Sequence, residues 1–428
     1  MNKIRIAILG MGNVGTGVWK ILNSNKEQIV KRSGAEIEVV KVLVRDPHKK
    51  RNVDIDPQII TTDINEILDD DSISIVVELM GGINPAKEYI LRAIKKKKNI
   101  VTANKLLIAT EGDEIFKAAM ENKVILNYEA SVAGGIPIIH GIKESLTANR
   151  ILQVVGIING TTNYILTKMT QSGMSFNNAL KEAQEKGFAE ADPTSDVDGY
   201  DAVYKLAILS SLAFDTKIDA NSIYREGIRN IDPVDIKYAK EFGYTIKLLA
   251  IVKDIDGELE MRVHPTMIPL FHPLANVNNS FNAIFIKGNA VGDLMLYGRG
   301  AGDLPTGSSV VSDIISIIRN DKNPVHFNNE ANNSWSKKAR DIEKVESKYY
   351  IRLTVDDTPG VLGEISTIFG RNDVSLRTVI QKGENNNRVP LVFVTHECIE
   401  GNINKSMDMI RKLQSVIKVQ NIIRVEDF

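Results

Sequence analysis

Residues 189–205, AEADPTSDVDGYDAVYK, hold Glu190, Asp192, Asp196, Asp198 and Asp201 and end on Lys205. Carboxylates this close repel one another unless a cation sits among them or water solvates them. The occupant is a metal, a substrate amine or solvent alone. The spacing superficially matches a calcium loop, with Asp196, Asp198 and Gly199 in register. Lys205 then falls where that loop needs a bidentate glutamate, so the calcium reading fails. If 199–213 is a helix, Asp201 and Lys205 stand at i and i+4 on one face. They are either a surface ion pair worth well under about 1 kcal/mol or a lysine that an aspartate holds as a proton donor. An aldehyde that accepts a hydride needs its oxygen protonated, and a positioned acid contributes about 10²–10⁴ in rate. The remaining carboxylates, Glu190 especially, suit the ammonium of an amino-acid substrate.

A hydride implies a carrier. GMGNVGTG begins at Gly10 and sets Gly10, Gly12 and Gly15 in G-x-G-x-x-G spacing. It follows the apolar run IRIAIL and opens a helical pattern, the setting of a dinucleotide site. Gly10 permits the tight turn, Gly12 the approach of a pyrophosphate, and Gly15 close helix–strand packing. Met11, Asn13 and Val14 complete a turn whose N–H groups favour phosphate. At the end of the second strand, in VLVRDPHKKR, Arg45 stands roughly where NAD sites carry a carboxylate. A guanidinium there pairs with a 2′-phosphate, so NADP is expected, with NAD possible. The alternative is a set of loop charges facing water.

These groups need elements to hold them. A chain of 428 residues exceeds one ordinary core and predicts two or three domains. The fold class is α/β. Strand–helix alternation predicts a Rossmann, doubly wound dinucleotide-binding domain over 1–130. An α+β catalytic and dimerisation domain follows over 131–325, with 300–320 packing back on the first. A polar linker spans 326–347. The tail, 348–428, reads β-α-β-β-α-β, the ferredoxin-like order. Net charge is −1, so no global field attracts nucleic acid or an anionic membrane. No stretch nears the roughly 20 apolar residues of a membrane span. The N-terminal apolar run is short and interrupted by glycines, and the expected location is cytoplasmic. Lys95–Lys98 reads as a solvated helix C-terminus. The single cysteine, Cys398, excludes an internal disulfide, and six scattered histidines give no zinc spacing.

ILGMGNVGTG, TANK, YEASVAGGIPII, INGTTNYI, KGFAEADPTSDVDGYDAVYK and GRGAGDLPTGSSVVSD occur in the order found in homoserine dehydrogenases, and the resemblance runs from residue 1 to about 320. It implies NAD(P)H-dependent interconversion of L-aspartate 4-semialdehyde and L-homoserine in threonine and methionine biosynthesis. It makes Lys205 the proton donor, Asp201 its partner in substrate binding and Glu190 the grip on the amine. Thr161 and Asp196 join the substrate set. Thr102 and Lys105 border the cofactor, with Lys105 also near the substrate. Gly187, Gly300 and Gly302 close over the nicotinamide. Glu129, Val132, Gly134 and Ile136 match positions that hold a structural sodium ion or another monovalent cation. Taken as residues alone, Asn159-Gly160-Thr161 is a helix cap, Asn104-Lys105 a strand-end turn, and the glycines turn formers.

The tail, LTVDDTPGVLGEISTIFGRNDVSLRTVIQ, resembles an ACT domain. The resemblance implies an amino-acid effector held at Asp357, Gly360, Val361 and Leu362, with L-threonine suggested by the pathway, in a homodimer or homotetramer. The alternatives are a dimerisation module without ligand, another amino-acid semialdehyde oxidoreductase on this scaffold, or a catalytically inactive protein that senses nucleotide and amino acid.

Overall fold

The short apolar runs near the N-terminus become a parallel sheet in the computed structural model, which describes residues 2–320, 337–382 and 388–428. Its strands are β1 (Asn2–Leu9), β2 (Ala35–Leu43), β3 (Ile60–Thr61), β4 (Ile73–Glu78), β5 (Asn99–Thr102) and β6 (Leu126–Asn127), in the order β3-β2-β1-β4-β5-β6. Ile6, Ala7, Ile8 and Leu9 are all fully buried, as a strand covered on both faces requires. Ala7 and Leu9 pack with Val76 and Ile90 on one face. Ile6 and Ile8 pack with Val18, Val310 and Ile314 on the other. The order reverses between β1 and β4, where doubly wound sheets form their ligand crevice.

The described residues group into two units. The first takes those within Met1–Val154, Tyr204–Asn221 and Asn282–Ser336, and the second those within Val155–Val203, Ser222–Phe281 and Lys337–Phe428. In the first unit the helix Asp303–Asn320 lies on the helix Asn13–Ser24. The approach is made through glycine. A Cβ on Gly17 would fall 1.9 Å from the Asp303 carbonyl oxygen, and one on Gly307 2.8 Å from the backbone of Gly17. One expectation needs correction here. The helix of the lysine run ends at Lys95, and Lys98 is buried rather than solvated, its ammonium donating to the carbonyls of Asp70 (2.7 Å) and Ile73 (3.0 Å).

Further strands follow in chain order. They are β7 (Ile151–Ile157), β8 (Tyr224–Arg225), β9 (Tyr244–Ile255), β10 (Glu258–Pro269), β11 (Phe281–Gly288) and β12 (Gly292–Arg299). The tail adds β13 (Lys338–Ala339), β14 (Glu346–Asp356), β15 (Leu376–Gln381), β16 (Arg388–Thr395), β17 (Cys398–Ile399) and β18 (Val416–Val425). With the helices Val361–Arg371 and Glu400–Ile410, the tail has the β-α-β-β-α-β order around a core that includes Tyr349, Ile365, Phe369, Phe393 and Met407.

Within the second unit this tail joins the preceding segment directly. The sheet runs β9-β10-β18-β14-β16-β15, and Thr266 and Met267 of β10 pair in parallel with Arg424 and Val425 of β18. Buried polar groups fasten the junction. Asp235, fully buried, accepts from the Tyr350 hydroxyl (2.9 Å), Arg352 Nε (2.6 Å) and Asn421 Nδ2 (2.9 Å). Arg262, also fully buried, meets Glu260 and Glu426. Of the expected linker, 326–336 lies outside the described residues, and Lys338 of β13 pairs with Glu258 of β10. Among the described residues no helix is long and apolar enough to cross a membrane.

Candidate functional site

The five acids of the opening stretch take different roles in the second unit. Asp192 caps its own turn by accepting from the Thr194 N–H (3.1 Å). Asp198 is held by both arms of Arg229 (2.5 and 3.1 Å). Asp196 and Asp201 are joined by one amide: Asn159 Nδ2 donates to Asp196 Oδ1 (2.7 Å) and Asp201 Oδ2 (2.9 Å). Its Oδ1 meanwhile accepts from the Thr162 N–H (2.8 Å) and caps the helix Gly160–Ser172. A neutral amide with two N–H donors can tie two carboxylates together without adding charge. Glu190 stays exposed on the loop before them.

Asp201 and Lys205 both lie on the helix Tyr200–Ala213, at 2% and 9% exposure. That burial removes the surface-pair reading, since such pairs owe their small worth to solvent screening. The helix crosses the division of the chain, with Asp201 counted in the second unit and Lys205 in the first. Thr161 sits at the head of the helix Gly160–Ser172 and donates its hydroxyl proton to the Phe188 carbonyl (2.6 Å). That bond ties the helix to the loop in which Gly187 adopts φ +74°. Asn159 escaped attention in the sequence as more than a cap. Its tie to two acids 37 and 42 residues downstream is a tertiary fact.

In the first unit the glycine motif adopts the geometry its spacing implied. Gly10 has φ +99°, a Cβ on Gly15 would fall 2.5 Å from the Gly10 carbonyl oxygen, and one on Gly12 would meet nothing within 4 Å. The backbone at Gly12 is therefore open to a ligand, flanked by Met11, Asn13 and Val14 at the start of the helix. Gly15→Ala forces the turn apart, and affinity for a dinucleotide is expected to fall at least about tenfold. Quenching of protein fluorescence by a reduced nicotinamide dinucleotide would measure this, and an unchanged titration would refute it.

Arg45 is exposed just beyond β2, whereas the Arg51 guanidinium is taken up by the carbonyls of Asp46 (2.7 Å) and Lys49 (2.8 Å). At the end of β5, Thr102 is buried. Its hydroxyl donates to Glu78 Oε2 (2.6 Å), and its oxygen accepts the Asn104 N–H (3.0 Å). Glu78, fully buried at the end of β4, also accepts from the N–H groups of Met80 (2.7 Å) and Gly81 (3.2 Å), and burial pushes its carboxyl above the usual range. Sequence reasoning passed over Glu78. The signal was one acid closing the strand ISIVVE, which is apolar but for Ser74. Asn104 caps the helix that begins at Lys105 by accepting from the Leu107 N–H (3.1 Å).

The candidate cation residues also gather in the first unit. The buried Glu129 carboxylate accepts from the N–H groups of Ile139 (2.9 Å) and His140 (2.7 Å), and His140 meets Asp313 at 2.9 Å. Burial and the nearby Asp313 push Glu129 up to about 7. The Gly134 carbonyl accepts from Ser309 Oγ (2.7 Å), and a Cβ on Gly134 would fall 2.5 Å from the Gly300 carbonyl oxygen. Gly300 lies against Asn282, and Gly302 has φ +127°. Val132 and Ile136 are buried beside them. A hard monovalent cation beside Glu129 would offset the burial that raises its carboxyl.

In the tail, Gly360 (φ +96°) precedes the helix Val361–Arg371, with Asp357 and Leu362 exposed and Val361 buried. Asp357 Oδ1 accepts from Gln381 Nε2 (3.1 Å).

Comparison with known proteins adds the chemistry. Three family profiles match: a homoserine dehydrogenase NAD-binding domain over residues 10–129, homoserine dehydrogenase over 137–315, and an ACT domain over 349–413. A homoserine dehydrogenase of Synechocystis sp. is 44% identical, with 99% of each chain aligned. A crystal structure of a homoserine dehydrogenase from Thiobacillus denitrificans superposes with a TM-score of 0.93 at 40% identity, covering 100% of this chain and 99% of that one. A hyperthermophilic archaeal homoserine dehydrogenase in complex with NADPH matches 73% of this chain and 97% of its own, with a TM-score of 0.62 at 28% identity.

Proposed function

We infer the roles of individual residues from one premise: this chain belongs to the homoserine dehydrogenase family. It is an oxidoreductase with a nicotinamide-dinucleotide-binding domain and a C-terminal ACT domain. The proposed reaction in the reductive direction converts L-aspartate 4-semialdehyde to L-homoserine. The bound nicotinamide supplies the hydride. Lys205 donates a proton to the carbonyl oxygen and recovers it from the hydroxyl in the reverse direction. Asp201 orients the substrate beside that lysine, and Asp196, Thr161 and Glu190 complete the grip on the amino-acid end. Lys105 borders both cofactor and substrate.

The observation that supports this reading most is the Asn159 amide holding Asp196 and Asp201 together at 2.7 and 2.9 Å, one helical turn before a buried lysine. Two carboxylates fixed by a neutral donor retain net negative charge for a substrate ammonium. The test is L-homoserine-dependent formation of reduced nicotinamide, followed by absorbance, with the reverse reaction run on L-aspartate 4-semialdehyde. No turnover in either direction would overturn the assignment.

NADP is the proposed preferred carrier, with NAD accepted more weakly. Gly10, Gly12 and Gly15 would hold the pyrophosphate, Arg45 the 2′-phosphate, and Thr102, Gly187 and Gly302 the nicotinamide end. Arg45→Ala is expected to raise KM for NADP about tenfold and leave KM for NAD within about twofold, the loss of one charge-assisted pair. Equal effects on both cofactors would remove Arg45 from that role.

Glu129, Val132, Gly134 and Ile136 would hold a structural monovalent cation, sodium first. The proposed organisation is a dinucleotide domain over 1–130, a catalytic and dimerisation domain over 131–325 and a regulatory domain over 348–428, in a cytoplasmic homodimer or homotetramer. L-Threonine is the proposed effector, acting through the tail at Asp357, Gly360, Val361 and Leu362.

A further inference from the structure

We propose that Gln184 is a positioning residue for substrate binding, its amide fixing the backbone of the loop that presents Glu190. The proposal rests on the reading that Glu190 grips the amino-acid end of the substrate.

The helix Phe176–Glu185 ends in a turn that reverses the chain. The Gly187 N–H donates to the Gln184 carbonyl (3.0 Å) and the Phe188 N–H to the Ala183 carbonyl (2.8 Å), with Gly187 at φ +74°. This pair of bonds around a left-handed glycine closes many helices, and it folds the following residues back beside the last turn. Phe188 is held twice more. Its carbonyl accepts the Thr161 hydroxyl proton (2.6 Å), and its ring centroid lies 4.6 Å from that of Tyr164.

Glu190 and Ala191 lie beyond these anchors, and both are exposed. Gln184 reaches back to them from the helix. Its Nε2 donates to the Glu190 carbonyl (3.0 Å) and, at longer range, to the Ala191 carbonyl (3.4 Å). Two carbonyls can accept only from the nitrogen of an amide, so they also fix which way the amide points. Asn159 ties together two carboxylates of the acidic stretch, and Gln184 holds the main chain under a third. The Glu190 side chain sits in water and must be ordered when a substrate ammonium arrives. A main chain fixed beforehand removes the rest of that ordering cost. Such a saving applies to the bound substrate and the transition state alike, so it belongs in KM and leaves kcat alone.

Steady-state kinetics of Gln184→Met, Glu190→Ala and the double variant with L-homoserine test the role. Methionine matches glutamine in length and helix preference and lacks the donor. Gln184→Met is expected to raise KM for L-homoserine about fivefold, the worth of roughly one ordinary hydrogen bond, with kcat and KM for the dinucleotide within about twofold. Glu190→Ala should raise the same KM, and the double variant should be no worse than Glu190→Ala, because the support then has nothing left to present. A general loosening of the loop would instead make the two losses multiply. An unchanged KM in Gln184→Met, or multiplied losses in the double variant, would overturn the role of Gln184 and leave that of Glu190 standing. An equal rise in KM for the dinucleotide would move the support to the Gly187 side of the loop and overturn the proposal too. An unchanged KM in Glu190→Ala would overturn the reading of Glu190 itself, and this proposal with it.

Discussion

Replacing Lys205 by alanine is expected to lower kcat by about 10² or more and leave KM for the dinucleotide little changed. On the proposed mechanism the reduction would place negative charge on the aldehyde oxygen as the hydride arrives, and Lys205 would remove that charge by transferring a proton. Lys205 sits on a helix whose next four residues, Leu206, Ala207, Ile208 and Leu209, are all buried, so water is poorly placed to substitute. The alanine variant keeps the helix, because alanine is the strongest helix former. A loss of rate therefore cannot be assigned to misfolding if the melting temperature is preserved. The decisive readout is the ratio of kcat to cofactor affinity in variant and parent. An unchanged kcat removes the lysine from the chemical step. A fall in dinucleotide affinity as large as the fall in kcat would make it a cofactor residue instead.

Arg262→Ala is the substitution with the largest expected cost in stability, about 3–5 kcal/mol, since removing one partner leaves the others charged and buried. Arg262 has no solvent exposure and lies between Glu260, at 2.6 and 2.9 Å, and Glu426. Glu426 follows β18, and Glu260 and Arg262 are on β10, so the cluster bolts the tail to the strand before it. Lys253 reaches Glu426 at 2.7 Å and would compensate one carboxylate only. Urea unfolding of the full chain measures the loss, and a change below about 1 kcal/mol would show that relaxation or water entry rescues the site. The same packing bears on regulation. Deleting 345–428 would strip Arg352, Tyr350 and Asn421 from Asp235 and bare the β10 edge. Point changes in the turn at residues 357–362 are therefore the cleaner test of an effector.

The sequence by itself determined most of the local geometry. Gly10, Gly12 and Gly15 carry their meaning in their spacing, because a turn that needs positive φ and a helix that must approach a strand are backbone constraints settled within a few residues. The parallel strands were legible as apolar runs, and the tail as an alternation of short strands and amphipathic helices. The i and i+4 placement of Asp201 and Lys205 followed from helical period alone. The motifs also carried the family.

Only the tertiary structure decided which charges are available. Five acids in 189–205 look equivalent in sequence. Folding spends Asp198 on Arg229, turns Asp192 inward to its own loop, and gathers Asp196 and Asp201 onto Asn159. Lys98, expected in water, is drawn into the carbonyls of a neighbouring loop, and Glu78 becomes the buried support of Thr102. The junction of β10 with β18 joins residues some 158 positions apart, Thr266 and Arg424. The physical reason is common to all of these. Local conformation depends on side-chain sterics and hydrogen bonds between near neighbours, which a reader can take in order. The partner of a charge or of a strand edge depends on which distant segment is brought against it, and burial then makes the pairing obligatory.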